Sequence, residues 1–245
     1  LSWIDSAWLS LDTETTGVDT DTDRIVTASL LLVEPDGKVA WAGEWMADPG
    51  VPIPPEAEAV HGVSTEEAQR DGLPAAQVVA EIEEALDLRW GRHTPLVVAN
   101  APYDLSLLSA ELMRHHNRPV TFSGGVLDPI VCDRKVDKYR KGGHNLEAMC
   151  KHYQVDPGKA HASASDALAA VGVMRAIVTK YPALSRLSIG DLYRYQVEWH
   201  QEWAENFEQY LRRERRKDRT ATAEEIAGIT IDRAWPMRAR AVAGA

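Results

Sequence analysis

In the stretch LSLDTETTGVD, residues 9–19, Asp12 and Glu14 stand two apart at the end of an apolar run. Alternate side chains of extended backbone share a face, so the two carboxyls project together. Like charges placed this way repel unless a cation lies between them or one of them holds a proton. Asp104 follows VVANAPY, where a strand hands over to a helix and where open α/β sheets gather ligand groups. Asp166 opens a helical run, five residues after His161 in HASASDA. Taken singly, each acid has a structural explanation: a solvated strand end, or a carboxyl that complements the amides of a helix start. A lone histidine in a loop is ordinarily a surface residue. Taken together they form an ordered set of hard oxygen donors with an imidazole, which suits Mg²⁺ or Mn²⁺ better than zinc.

The elements that must position these residues follow from hydrophobic patterning. Residues 7–12, 24–34 and 38–47 are rich in Val, Leu, Ile, Thr and Trp and predict strands, the second and third joined by a hairpin at Asp36-Gly37. Four prolines make residues 48–57 an extended loop. Ser64-Thr65-Glu66-Glu67 has the capping-box pattern and predicts a short helix. Pro74 suits the first turn of the next helix, with Val78, Ile82 and Leu86 on one face. TPLVVAN, 94–100, predicts a buried strand leading into a helix with Leu105, Leu108 and Leu112 at helical spacing. GGVLDPIV, 124–131, predicts a last strand, and HNLEAMCKHY a further helix. The run from Ser163 is helical, with Leu168, Val171, Met174 and Val178 expected to face inward. Five strands, the later ones alternating with helices, imply a mixed α/β sheet covered by helices.

After Pro182 the character changes, which divides the chain into a body, 1–184, and a helical C-terminal extension, 185–245. Residues 189–217 form a long helical pattern with Tyr195, Trp199, Trp203, Phe207 and Leu211 on one stripe, ending in LRRERRKDR. Such a stripe most often packs back on its own domain; the alternative is a partner surface. The basic end is expected to be a solvated helix terminus.

The chain has 245 residues, 44% of them apolar, enough to bury a substantial core. No apolar run is long enough to span a membrane, and no basic-then-apolar leader is seen; the sequence begins at Leu1 rather than Met. Cys132 and Cys150 form no C-x-x-C pair and are expected to be buried, reduced thiols, with the cytoplasm as compartment. The net charge is −10, but the extension holds eleven basic and ten acidic residues, so the body carries −11. That balance argues against gripping long nucleic acid through phosphate contacts alone. It leaves room for an enzyme that meets a nucleic-acid end through bound cations.

In sequence, LDTETTG, NAPYDLSLL and HASASDA resemble, in the correct order, the three motifs of the DEDDh family of 3′-to-5′ exonucleases, most closely the proofreading type of the DNA polymerase III epsilon subunit. VHGVSTEEAQRDG, VLDPIV and GGHNLEAMCKHYQV resemble the family's supporting segments, so the likeness spans roughly residues 7–180. The resemblance implies a ribonuclease H-like fold, two divalent metal ions (Mg²⁺ or Mn²⁺), and release of nucleoside 5′-monophosphates from a 3′ end. Asp12, Glu14 and Asp166 would hold the metal that carries the attacking water, and Asp12 with Asp104 the metal near the leaving 3′ oxygen. His161 would be the general base. Thr15, Thr16 and Gly17 would let backbone amides approach the terminal sugar, Val18 would wedge beside its base, Tyr103 would stack, and His61 and Asn100 would add polar contacts. Ala99 stands where many relatives have histidine, and Pro102 and Tyr103 replace a small residue and Phe. These departures touch substrate preference and no ligand.

The favoured partner is a DNA 3′ end. An RNA-trimming relative of the ribonuclease T or oligoribonuclease sort would have the same ligands and differ in contacts to the 2′ hydroxyl. A binding module that had lost activity would be expected to lack a ligand or the histidine, and all five are present. An interaction subunit of a polymerase or repair complex, or a self-associating chain, would use the aromatic helix, which shows no glutamine-led clamp-binding motif.

Overall fold

The computed structural model describes residues 2–159 and 161–239; residues 240–245 of the expected extension lie outside them. The strands are β1 (Trp8–Thr15), β2 (Ile25–Val33), β3 (Val39–Asp48), β4 (Leu73–Pro74), β5 (Leu96–Val97) and β6 (Val126–Leu127). They form one sheet in the order β4-β3-β2-β1-β5-β6. β1 runs antiparallel to β2 and parallel to β5, and β6 continues parallel to β5. The sheet is therefore mixed, as expected, with six strands where five were predicted. The additional β4 is two residues long and pairs with the end of β3, too short to leave a periodic signal.

The helices are α1 (Pro55–His61), α2 (Thr65–Asp71), α3 (Ala75–Arg89), α4 (Ala101–His116), α5 (Pro129–Val136), α6 (Leu146–Tyr153), α7 (Ser163–Lys180), α8 (Pro182–Ser185), α9 (Ile189–Arg215) and α10 (Ala223–Gly228). On one sheet face, Val78, Ile82 and Leu86 of α3 and Leu105, Leu108 and Leu112 of α4 bury against Leu9, Leu11 and Leu30. On the other, α6 and α7 cover Trp8, Leu31 and Val97 through Met149, Val171, Met174 and Val178. Leu168 was expected inward, yet it is 39% exposed. Small residues at 167, 169 and 170 bring α7 close to the sheet, and Leu168 falls on the outer side of that seam. Ser64 accepts from the Glu67 amide as the cap of α2, and the Gly37 turn closes with φ near 87°. Cys132 and Cys150 are buried and free. Among the described residues no helix is long and apolar enough to cross a membrane.

Two segments differ from the sequence expectation for one reason. Residues 48–57 do not stay extended: α1 begins at Pro55. Likewise the segment 124–131 leaves the sheet after Leu127, and α5 begins at Pro129. Proline in the first helical turn lacks only an amide that would have had no intrahelical partner, so it starts a helix as readily as it breaks one. Asp128 accepts from the Ile130 and Val131 amides, fixing the start of α5.

The long helix α9 also turns a different face inward. Its buried positions are Leu192, Gln196, His200, Ala204 and Glu208, one step around from the aromatic stripe. Tyr195, Trp199, Trp203, Phe207 and Tyr210 flank this face as stacked pairs, with the Arg134 guanidinium 3.7 Å from the Trp203 ring centroid. The polar face is buried because β6 is an edge strand with unpaired backbone groups. The Gln196 carboxamide donates to the Val126 carbonyl at 2.9 Å and accepts from the Asp128 amide at 2.7 Å, taking the place of a neighbouring strand. At the basic end, Arg215 pairs with Asp218 and Glu225, and Lys217 with Glu214, which offsets part of the charge of this helix terminus.

Removing that carboxamide strands one buried donor and one buried acceptor. Gln196→Ala is expected to cost about 3 kcal/mol in urea unfolding, whereas Tyr195→Ala on the exposed flank should cost much less. Equal costs at the two positions would contradict this account of α9.

Candidate active site

The described part of the site lies where β1 and β5 end and α4 and α7 begin. Asp12 and Glu14 project from the second half of β1, and a bulge between Glu14 and Thr15 shifts the register with β2 while pairing continues through Thr15 and Ile25. Asp104 comes from the first turn of α4. This helix is entered through Asn100, whose φ of 67° lies in the left-handed region that asparagine tolerates. Asp166 sits in the first turn of α7. The preceding loop brings in His161, also with positive φ, whose amide donates to the Asp166 carboxylate at 3.1 Å.

Buried polar pairs fix these elements. Asp104 is buried, and its Oδ1 accepts from the Thr13 amide at 3.1 Å and the Thr13 hydroxyl at 2.7 Å. The second helix is tied at two points: the Ser10 hydroxyl donates to the Ala167 carbonyl at 2.8 Å, and the Ser29 and Ser163 hydroxyls meet at 2.7 Å. Asp128 accepts from the amides of Asn100 and Ala101, so one buried carboxylate seats both the turn before Asp104 and the start of α5. None of Ser10, Thr13, Ser29 or Asp128 was singled out as a functional residue. Asp-Pro after a strand was the one available signal, as a helix cap; the others depend on partners remote in the chain.

The electrostatics are those of crowded acids. Burial raises the Asp12 carboxyl well above the carboxylate range, and the charges of Asp104, Asp166 and Glu14 add to the effect. Burial pushes Glu14 up to about 7, with Asp166 adding and His161 opposing. Burial also lifts Asp104 to about 7 against the hydrogen bonds from Thr13. Asp166 is raised by burial, with the His161 amide and ring opposing. Among the described residues, no lysine or arginine figures in the charges these four carboxyls feel. Ligand atoms of Glu14, His161 and Asp166 lie within 4.8 Å of one another. All five expected residues thus come together, and the donor set fits divalent cations: hard oxygens, mutually repelling, with no internal counter-ion.

The expected substrate contacts are arranged around the same centre. The Thr15 hydroxyl donates to the Gly17 carbonyl at 2.7 Å, and the Tyr103 hydroxyl lies 2.5 Å from Thr15 Oγ1. Thr16 is buried and bonds Asp23 at 2.8 Å, so it braces the turn. A Cβ on Gly17 would stand 2.5 Å from the Asp23 carboxylate, so any larger residue here would have to displace the side chain that bonds Thr16. Val18 is 81% exposed at the tip. His61 lines a cleft with Glu14, Glu44, Trp45 and His161. Its Nδ1 accepts from the Val63 amide, and its Nε2 is buried near the Thr15 backbone without a hydrogen bond of good geometry. Asn100 is exposed, and its side chain does not cap α4.

The carboxyl shifts set a pH dependence. A carboxyl whose native pKa exceeds its unfolded value of about 4 costs native stability once ionised; the cost is absent at low pH and complete above about pH 7. A divalent cation relieves that cost and competes with the same protons. Mn²⁺ is therefore expected to raise the melting temperature more at about pH 8 than at about pH 5.5. Asp12→Asn should largely remove the rise. A Tm indifferent to Mn²⁺ at the higher pH would count against a cation site.

Residues 9–174 match the RNase T family, described as exonuclease. Among curated proteins, a DNA polymerase III subunit epsilon-like protein of Rhodobacter capsulatus is 33% identical over 141 residues, covering 56% of this chain and 18% of that protein. The DNA polymerase III subunit epsilon of Rickettsia conorii is 29% identical over 151 residues, covering 60% of this chain and 61% of that protein. The chain thus spans less than two thirds of either relative. Among solved structures, exonuclease I superposes with a TM-score of 0.64 at 20% identity, over 74% of this chain and 42% of that one. Escherichia coli exonuclease I in complex with a dT13 oligonucleotide gives a TM-score of 0.60 at 19% identity, over 73% and 42%. These last two are likenesses of fold. With the family match running over most of its length and the motif residues gathered at one end of the sheet, the chain belongs to the exonuclease family, in its DEDDh branch with the ribonuclease H-like fold.

Proposed function

We propose that this chain is a metal-dependent 3′-to-5′ exonuclease that releases nucleoside 5′-monophosphates from single-stranded nucleic acid, with DNA as the favoured substrate. The observation that carries this reading is the cluster of four raised carboxyls with no lysine or arginine among them, beside an exposed histidine. Asp12, Glu14 and Asp166 would hold one divalent cation and Asp12 with Asp104 a second, Mg²⁺ or Mn²⁺. Bound there, the pair would supply charge neutralisation at the phosphodiester and a more acidic water.

The protein's own groups do the rest. His161 takes the proton from the attacking water, a role suited to imidazole at physiological pH. The hydrogen bond from its backbone amide to the Asp166 carboxylate holds the loop so that the ring stays beside Glu14 and Asp166. Thr13 keeps the Asp104 carboxylate aimed by two hydrogen bonds. The braced turn from Thr15 to Val18, together with Tyr103 and His61, forms the wall against which the terminal nucleotide rests. Preference for DNA is supported by the epsilon-type relatives and by the oligonucleotide complex of exonuclease I. The body 1–184 would carry the chemistry, with the helical extension from 185 as support.

The test is a ladder assay on 5′-labelled DNA and RNA oligonucleotides with and without Mg²⁺ or Mn²⁺. Shortening from the 3′ end is expected with metal and none with a chelator. His161→Ala is expected to slow turnover by about 10²–10⁴-fold while the Mn²⁺-induced rise in Tm persists. Unimpaired turnover in that variant would remove His161 as the base, and cleavage that begins within the strand would overturn the exonuclease reading. Faster shortening of RNA than DNA would reassign the substrate.

A further inference from the structure

Residues 229–239 lie outside the family match, yet the chain there returns from α10 to the active-site face. The Ile231 amide donates to Glu208 on α9 at 3.1 Å. Asp232 then accepts from the amides of Ala234 and Ala239, each at 2.9 Å, closing a compact turn. Trp235 is buried against Tyr193, ring centroids 5.2 Å apart, with its indole nitrogen 3.4 Å from Asp128. The Arg238 amide donates to the Ser106 hydroxyl of α4 at 2.8 Å. One carboxylate, Asp128, therefore seats both the turn before Asp104 and this returning segment.

Arg238 ends up at the rim of the site. Its guanidinium carbon is 5.6 Å from the centroid of the Tyr103 ring, and Nη1 donates to the Val18 carbonyl at 3.4 Å. Tyr103 is itself bonded to Thr15 and Gly17, so Arg238, Tyr103 and the 15–18 turn make one continuous wall next to Asp104. Arg238 is exposed, and among the described residues no carboxylate lies within ion-pair distance of it. Asp19 and Tyr103 feel its charge. It is thus an exposed cation on the wall made by Tyr103 and the 15–18 turn, at the edge of a cleft it lines with Asp19, Asp21 and Asp232.

We propose that Arg238 binds a backbone phosphate of the nucleic-acid strand just upstream of the scissile bond, making the returning segment part of the substrate site. This rests on the exonuclease reading above, in which Asp104 marks the side of the leaving 3′ oxygen and hence of the strand that remains. A polyanion approaching four carboxyls gains most from a cation placed before it reaches them, and a guanidinium matches two phosphate oxygens with its paired N–H groups. The exposed Val18 beside it offers an apolar edge for a base while the charge takes the backbone. Arg238 acts in binding and positioning and leaves the chemical step to the residues already described.

The test compares Arg238→Gln and Arg238→Lys with the unaltered chain on two substrates. One is a single-stranded dodecanucleotide; the other is thymidine 5′-(p-nitrophenyl phosphate), which has no upstream nucleotide. For Arg238→Gln on the dodecanucleotide, KM is expected to rise at least about fivefold with kcat within about twofold. The slope of log kcat/KM against log salt should flatten by about 0.7, one phosphate contact on a single strand. Arg238→Lys should recover part of the loss, and the p-nitrophenyl ester should change by less than about twofold. If KM and the salt slope on the dodecanucleotide do not move, or both substrates lose equally, this inference is overturned and the exonuclease reading stands. An unaltered chain that hydrolyses neither substrate overturns both.

Discussion

Four carboxyl groups from three separate elements are held closer than their charges favour. Each is raised by burial, and three of the four are raised further by a neighbouring acid. Among the described residues only the His161 ring offsets them, at Glu14 and Asp166, so the surrounding scaffold must resist a repulsion that would otherwise spread β1, α4 and α7 apart. This is the reverse of a buried ion pair, where attraction between the partners helps hold the elements together. Here the neighbouring acids repel one another, and the fold supplies the restraint.

The restraint is a set of small buried hydroxyls and one acid. Ser10 reaches across to the backbone of α7, Ser29 meets Ser163, Thr13 grips Asp104, and Asp128 gathers the amides of the turn into α4. These bonds lie in the low-dielectric interior, where a satisfied polar pair is rigid and an unsatisfied one is costly. They act on the helix starts that carry Asp104 and Asp166, the positions where a small rotation would move a ligand most. The network then extends outward. Gln196 bonds the Asp128 amide and Trp235 approaches the Asp128 carboxylate, so helix α9 and the returning segment are continuous with the site.

The sequence revealed the chemical groups more fully than their supports. Asp12, Glu14, Asp104, His161 and Asp166 stand out only as an ordered set of motifs, since each taken singly has a structural explanation. The helices α3, α4, α6 and α7 were legible for a local reason, their periodicity. What escaped was non-local or ambiguous. The prolines at 55 and 129 suited a loop or a strand end as well as a first helical turn. The aromatic stripe of α9 packs back in part, through Trp199 and Trp203, but the fully buried positions lie beside it, because the edge of β6 takes a hydrogen-bonding side chain that hydrophobic spacing does not encode. Gly17 also lies against Asp23, a close approach that its place in the sequence does not announce. Thr13 is an ordinary strand residue until Asp104, 91 positions away, is placed beside it.

The carboxamide of Gln196 on β6 has a consequence for how this protein behaves toward other polypeptides. A β-sheet that stops at an open ladder invites strand-by-strand growth into neighbouring chains. Here the terminal rung is two residues long, and its outward donor and acceptor are already engaged by a side chain from a helix that cannot itself be extended as a strand. Growth of the ladder at that margin is thereby blocked, and protection from intermolecular β-pairing depends on the same helix that steadies the catalytic end of the sheet.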